Sequence, residues 1–144
     1  MTEISIPGKV TEIGQYAFAN TRITSLTVPR SVTTVGAYVC HECTNLATVR
    51  YEGAVIGAYM FAGCTALTNF TIAKSVKEIQ TYAFNSCSKL KTLTYEGSLK
   101  DWAAIEKQKN WDSHSSSANL TKIQCLDGYL KWNDEDKEWI EVKK

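Results

Sequence analysis

The feature that most constrains this chain is an internal repeat of 21 to 23 residues. Five segments of the same pattern contain Ile4, Leu26, Val49, Phe70 and Leu93 at the same position, so successive copies lie 22, 23, 21 and 23 residues apart. A period in this range is typical of solenoids, in which each unit buries its apolar edge by stacking on its neighbours. The repeat therefore predicts a core that runs as a stripe along the stack.

Each unit contains an apolar-x-x-apolar-x-apolar segment, for example Leu-Thr-Asn-Phe-Thr-Ile at 67–72. The end of this segment alternates apolar and polar residues, which predicts a short half-buried β-strand whose polar side chains face water. A second apolar pair, such as Val76 and Ile79, follows at a spacing typical of a segment that returns to the core. Stacking would place the strands of successive units parallel, about 4.8 Å apart.

Three further columns of residues agree in this register, and they hold aliphatic, tyrosine and cysteine side chains: Ile13, Val35, Ile56 and Ile79; Tyr16, Tyr38, Tyr59 and Tyr82; Cys43, Cys64 and Cys87. With the Pro, Gly and Ala-Phe positions, most closely over 31–46, they resemble the repeat of the BspA-like leucine-rich repeat family across residues 1–97. The resemblance implies a leucine-rich repeat solenoid, right-handed, with short parallel β-strands and mostly irregular or short helical return segments. It also implies a bacterial protein that is extracellular or at the cell surface and binds other molecules.

The composition divides the chain near residue 97. All four Trp and all five Asp lie beyond that residue, whereas fifteen of the sixteen Thr precede it. Two segments with such different compositions are not expected to share one repeat pattern. We therefore expect a body of about four and a half repeat units at 1–97 and a C-terminal cap at 98–144.

The cap is predicted to contain one helix and three strands. Ser98 is a good N-cap for a short amphipathic helix over 99–109. Alternating apolar residues and an Asp127-Gly128 turn signal predict a β-meander on the last repeat. Its strands are expected near 120–126, 129–132 and 138–142.

The first repeat begins at the first residues of the sequence. Ile4 and Ile6 occupy the positions that Leu26 and Val28 hold in the next unit. A parallel strand without a neighbour leaves backbone groups unpaired. The pattern predicts either a fragment of a longer array or a protomer covered by a partner, for example by edge-to-edge self-association.

The charge balance excludes several partners. Sixteen Lys and Arg stand against fifteen Asp and Glu, a formal net charge of +1, so the chain has no field that would attract nucleic acid. No apolar run approaches the roughly 18 residues of a membrane span, so we expect no membrane insertion. We expect no cofactor.

The cysteines allow two interpretations. Reduced cysteines in one column at repeat spacing would act as small hydrophobic residues of the core. Successive cysteines of the column could also lie near disulfide distance. Cys40 and Cys43 have a Cys-x-x-Cys spacing, but a second Cys or His pair is lacking in the sequence, which makes a metal site a poor interpretation. We favour a reduced ladder in the core.

Two polar segments contain residue types that are typical of functional sites. Asp112, Ser113 and His114 hold the residue types of a catalytic triad, but adjacent residues in a Ser-rich loop offer no fixed geometry and no oxyanion hole. The acidic segment 133–136 lacks the Gly and distal Glu of a Ca²⁺ loop, and a solvated turn explains it better. We therefore expect neither an enzyme nor a metal site.

Two surfaces remain as candidate binding sites. The polar strand positions form two rows: Ser25, Thr48, Asn69 and Thr92 beside Thr27, Arg50, Thr71 and Thr94. Solenoids commonly bind along such a face, although a merely solvated sheet would also favour Thr. The second surface is a pair of aromatic side chains, Trp132 and Trp139, which flank a predicted exposed turn and could stack on sugars.

The sequence thus favours a non-enzymatic binding or adhesion module of a surface protein, with contacts along the strand positions. The expected partner is a host or matrix protein, or another surface protein. Two alternatives stay open: a structural spacer that displays a neighbouring domain, and a carbohydrate-binding cap centred on Trp132 and Trp139.

Overall fold

The structure, a computed structural model, describes residues 3–112 and 120–144. In chain order its elements are β1 (Glu3–Ser5), β2 (Glu12–Ile13), β3 (Ser25–Val28), β4 (Thr34–Val35), β5 (Thr48–Tyr51), β6 (Val55–Ile56), β7 (Asn69–Ile72), β8 (Glu78–Ile79), β9 (Thr92–Tyr95), α1 (Leu99–Ala104), β10 (Glu106–Lys107), β11 (Lys122–Gln124), β12 (Gly128–Asn133) and β13 (Glu138–Lys143). The main sheet has eight strands in the order β1-β3-β5-β7-β9-β11-β12-β13. Smaller ladders, β2-β4 and β6-β8-β10, line the return side of the stack.

The repeat strands lie parallel and in the register that the columns predicted. Leu26 pairs with Val49, Val49 with Phe70, and Phe70 with Leu93, and all four side chains are buried. Because side chains alternate along a strand, the residues between them face outward. The leucine-rich repeat solenoid is confirmed.

The core is a stripe that runs along the stack. Phe70 meets Phe61 and Phe84 edge-on, with ring centroids 5.0 Å apart in each pair. Phe61 and Phe84 come from successive repeats and stack at 6.2 Å. Trp111 continues the stripe into the cap at 6.5 Å from Phe84. Body and cap therefore share one core.

The cysteine column packs in the core and also forms hydrogen bonds. All five cysteines are free and buried. The Cys43, Cys64 and Cys87 thiols donate to main-chain carbonyls of the preceding repeat, at 3.1, 3.2 and 3.1 Å. Burial raises the pKa of Cys87 to about 12, which keeps this thiol protonated as a donor. The structure thus contains a column of free, buried cysteines that carries hydrogen bonds between repeats.

The tyrosine column forms a stack on the return side. Tyr16, Tyr38, Tyr59 and Tyr82 all have positive φ, between 52° and 62°. This left-handed conformation is unfavourable for a bulky residue. The rings lie 5.1, 4.8 and 5.2 Å from their neighbours in the stack, and these contacts offset part of the backbone cost. The column therefore has a structural role in every repeat.

The helix is shorter than predicted. It ends at Ala104, and residues 106–107 pair in parallel with β8. The Lys107 ammonium donates to the carbonyls of Trp102 and Ile105, both at 2.8 Å. The expected helix over 99–109 is wrong because this segment continues the return ladder of the repeats. Its N-terminus is as predicted, with a capping box between Ser98 and Asp101.

The cap joins the body through β11. This strand pairs in parallel with β9, and β12 and β13 then follow as antiparallel strands. The predicted meander is present, but its first strand extends the sheet of the repeats. Among residues 3–112 and 120–144, no helix has the length and apolarity needed to cross a membrane.

Candidate functional site

The candidate site is the outward side of the main sheet, which we call the strand face. Its first row contains Ser25, Thr48 and Asn69, and these residues are partners in register on β3, β5 and β7. Thr92, the first residue of β9, extends this row. The strands hold the row at neighbouring positions because their buried side chains lock the register.

The second row is brought together in the same way. Thr27, Arg50, Thr71 and Thr94 are in-register partners across β3, β5, β7 and β9. Across both rows, four predicted residues are exposed and four are half-buried: Thr27, Thr48, Asn69 and Thr94; Ser25, Arg50, Thr71 and Thr92. All eight predicted residues therefore lie on one side of the main sheet.

Arg50 differs from the other residues of the strand face. Its guanidinium forms a bidentate pair with Glu96, with nitrogen–oxygen distances of 2.9 and 2.8 Å, and Nε donates to Glu52 at 2.8 Å. Glu96 lies two strands away, beyond β7. Arg50 holds the pKa of Glu96 below its ordinary value. The charge of Arg50 is therefore matched within the protein and is not offered to a ligand.

The strand face continues into the cap, which sequence reasoning missed. Lys122 pairs with Thr92 and Gln124 with Thr94, so both belong to the two rows. Across the next, antiparallel pair, Lys131 lies opposite Lys122 and Tyr129 opposite Gln124. A sequence signal existed in the spacing of Leu120, Ile123 and Cys125, which repeats the apolar-x-x-apolar-x-apolar pattern of the body.

The second candidate surface is more enclosed than predicted. Trp132 and Trp139 are in-register partners on β12 and β13, and both are half-buried. Trp139 stacks on Trp111 at 6.3 Å and donates from Nε1 to Asp112 at 2.9 Å. Trp132 lies beside a concavity of about 370 Å³ at the β12–β13 turn. Of the two, Trp132 is the residue better placed to meet a ligand.

The remaining motifs have structural explanations where they are described. No group of three or more His, Cys, Asp or Glu side chains within 3–112 and 120–144 could hold a metal ion. Asn133 Oδ1 accepts from the main chain of Glu135 and Asp136, as in a solvated turn. Ser113 and His114 lie outside the described residues.

The β1 edge of the sheet borders an apolar concavity. Its volume is about 380 Å³, and its lining includes Ile4, Ile6, Val10, Ile13 and Phe18. These side chains correspond to positions that are covered by a preceding unit elsewhere in the stack. Edge-to-edge self-association at this end stays a prediction.

Comparison with known proteins agrees with the repeat geometry. The family model described as BspA type leucine rich repeat region matches residues 1–105 in six copies. The chain belongs to this family. This BspA-type chain is similar to a solved leucine-rich repeat protein from Bacteroides ovatus ATCC 8483, at 22% identity and a TM-score of 0.60. That comparison covers 85% of this chain and 33% of the other, so the chain spans about a third of the length of the solved protein.

Two further solved structures share weaker similarity with this BspA-type chain. One is a leucine rich cell surface protein from Faecalibacterium prausnitzii A2-165, at 16% identity, with 100% of this chain and 54% of that chain covered and a TM-score of 0.49. The other is a leucine-rich repeat protein from Eubacterium ventriosum ATCC 27560, at 19% identity, with coverages of 86% and 41% and a TM-score of 0.48. None of the curated proteins compared with the chain matches it.

Proposed function

We propose that this chain is a non-enzymatic binding module of a bacterial surface protein and that it binds its partner along the strand face. The observation that supports this function most strongly is the polar character of both rows from β3 to β11. Every outward position of these strands carries a hydroxyl, amide or charged group. The buried side chains that alternate with these groups, together with the pairing between strands, fix their positions. Such a surface is preorganised and rich in hydrogen-bonding groups, and the preorganisation reduces the entropy cost of binding.

The location and the partner class are part of this proposal. Membership of the BspA-type family supports a surface protein that contacts a host or matrix protein, or another surface protein. The near-zero net charge supports recognition through local hydrogen bonds over attraction by a long-range field.

A structural spacer is the main competing function. A spacer needs the core stripe and the backbone ladders but no particular outward side chain. The two functions therefore differ in what happens when the strand face is altered while the core is left intact.

The test compares two matched double variants. Thr48→Glu with Thr94→Glu places charge on exposed positions of the strand face, and Thr33→Glu with Thr34→Glu places the same charge on exposed positions of the return side. We would measure adhesion of protein-coated beads to an extracellular matrix preparation. Loss of adhesion in the first variant alone supports the proposal. Equal adhesion of both variants and the unaltered protein would show a spacer.

Carbohydrate binding at the cap is the second alternative, and the concavity beside Trp132 favours it. The lining combines an indole with amide and carboxylate groups and with the ammonium of Lys131, a combination that suits a sugar. Titration of tryptophan fluorescence with a glycan panel, in the unaltered protein and in Trp132→Phe, tests it. Unchanged fluorescence with every glycan would remove this alternative.

A further inference from the structure

Two lysines lie directly opposite each other where the strand face enters the cap. Lys122 on β11 and Lys131 on β12 are in-register partners of an antiparallel pair, so both side chains leave the same side of the sheet. Like charges at directly opposed positions destabilise a sheet. A neutral or acidic residue at either position would be more favourable for folding, which makes the pair a candidate for function.

The described surroundings do not neutralise this pair. Among residues 3–112 and 120–144, no carboxylate lies within 4 Å of either ammonium group, in contrast to the matched charge of Arg50. Lys122 lies over the ring of Tyr129, 4.6 Å from its centroid. Glu138 is the carboxylate nearest in register, one diagonal step from Lys131 on β13, and Asp134 and Glu135 line the same concavity as Lys131. Lys131 is exposed, so its charge is available to a ligand.

The neighbours of the pair determine the chemistry of that ligand. Thr92 and Thr94 adjoin Lys122 and Gln124, and the polar rows then continue across four strands of the body. They consist of hydroxyl and amide groups except at Arg50, whose charge is paired with Glu52 and Glu96. The outward side chains of these rows are polar, so a ligand would contact them mainly through hydrogen bonds. They offer hydrogen-bonding groups at the inter-strand spacing of about 4.8 Å, which is close to the length of one sugar ring.

We propose that the strand face binds an extended acidic polysaccharide that lies across the strands, with a carboxylate at Lys122 and Lys131 and sugar hydroxyls along the Thr, Ser and Asn rows. This inference rests on the proposed strand-face function, and it assigns an acidic polysaccharide in place of a protein as the ligand of that face. The ammonium groups supply charge-assisted hydrogen bonds, which are stronger than neutral ones. The rows supply many weaker contacts, and these determine the direction in which the polysaccharide runs.

The test uses polygalacturonate as the probe and neutral galactan as the uncharged control, with binding measured by isothermal titration calorimetry. The variant is Lys122→Gln with Lys131→Gln. The matched control is Lys89→Gln with Lys100→Gln, which removes two exposed charges that lie off the strand face. We expect polygalacturonate to bind more tightly than galactan and to bind about tenfold or more weakly to the first variant only. We also expect the affinity to fall as salt is added.

A stability measurement separates a binding role from a structural one. Because opposed like charges are unfavourable, Lys131→Gln should raise the melting temperature while it weakens polygalacturonate binding. A lower melting temperature would indicate that Lys131 supports the fold, and it would overturn the proposal.

Three binding results would also overturn the proposal. These are equal affinity for galactan, equal loss in both double variants, and poly-L-glutamate binding as tightly as polygalacturonate, which would indicate an acidic-peptide surface. The proposed function is tested separately by bead adhesion. If polygalacturonate fails to bind while Thr48→Glu with Thr94→Glu still abolishes adhesion, the ligand class is wrong and the strand-face function stands.

Discussion

The body and the cap use the same backbone register but different side chains to hold it. In the body, every repeat places the same residue type at the same position, as in the Phe61–Phe84 stack and the cysteine column. In the cap, contacts occur once each, as in the Ser98 capping box and the bond from Trp139 to Asp112. The body is therefore stabilised by repeated contacts, and the cap by a set of individual ones.

This difference shows how a solenoid can be closed. Parallel stacking continues through β10 and β11, which take the places of a return segment and a repeat strand. The antiparallel strands β12 and β13 then end the parallel ladder. A change in the body should thus act on the whole stack, whereas a change in the cap should act first on its own segment.

The largest effect is expected from Phe70→Ala. Phe70 is 2% exposed and contacts aromatic rings of two successive repeats. Removing its ring should lower the free energy of unfolding by about 4 kcal/mol. Urea unfolding followed by circular dichroism measures this loss. Tyr16→Ala, at a ring that is 51% exposed, serves as the control and should cost far less. Similar losses in the two variants would contradict a core that runs through Phe70.

A smaller effect should reveal the hydrogen bonds of the cysteine column. Cys64→Ala removes both the packing and the donor to the Cys40 carbonyl, and we expect a loss of about 2 kcal/mol. Cys64→Ser keeps a donor near that carbonyl and should be less destabilising. Thermal melts of the two variants distinguish the roles. If Ser proves more destabilising than Ala, the thiol acts only as an apolar side chain.

In the cap, Ser98→Ala should cost about 1 kcal/mol because it removes the side-chain acceptor of the Asp101 amide. The loss should be local to the helix and β10. Hydrogen exchange of the α1 amides measures it, and Lys100→Ala at an exposed helix position is the control. A loss of protection spread equally over the body would contradict the local character of cap contacts.

The smallest effect concerns the ion pairs that link two repeats. Arg50 and Glu96 side chains are 42% and 43% exposed, so Arg50→Gln should cost only about 0.5 kcal/mol. Arg50 lowers the pKa of Glu96, so its contribution is present above the ordinary Glu pKa and is lost as pH falls through the lowered value. NMR titration should show the Glu96 pKa rising in Arg50→Gln. An unchanged Glu96 pKa would show that the pair does not form in solution.

The repeat made much of the structure predictable. Columns such as Leu26, Val49 and Phe70 fixed which residues are buried, and alternation then placed Thr27, Thr71 and Thr94 outward. These inferences depend only on local spacing and on the need of each unit to stack. The family followed from the same columns.

Other features depend on contacts that local spacing does not show. The helix was predicted to continue to residue 109 from its propensity, whereas pairing with β8 and the Lys107 contacts end it at Ala104. The pair between Arg50 and Glu96 joins residues 46 positions apart. The spacing of Leu120, Ile123 and Cys125 contained a signal that β11 pairs in parallel with the last repeat. The alternation of apolar residues in this segment and the turn that follows it predicted only a β-meander.

The claim that body and cap form one continuous stack is tested most directly by native-state hydrogen exchange in increasing urea. The Thr48 amide donates to the Thr24 carbonyl, and the Lys122 amide donates to the Lys91 carbonyl at the equivalent position of the cap. If the stack is continuous, both amides should exchange with the same free energy and the same urea dependence, close to those of global unfolding. Exchange of Lys122 at a clearly lower free energy, while Thr48 stays protected, would show that the cap opens as a separate unit and would contradict this account.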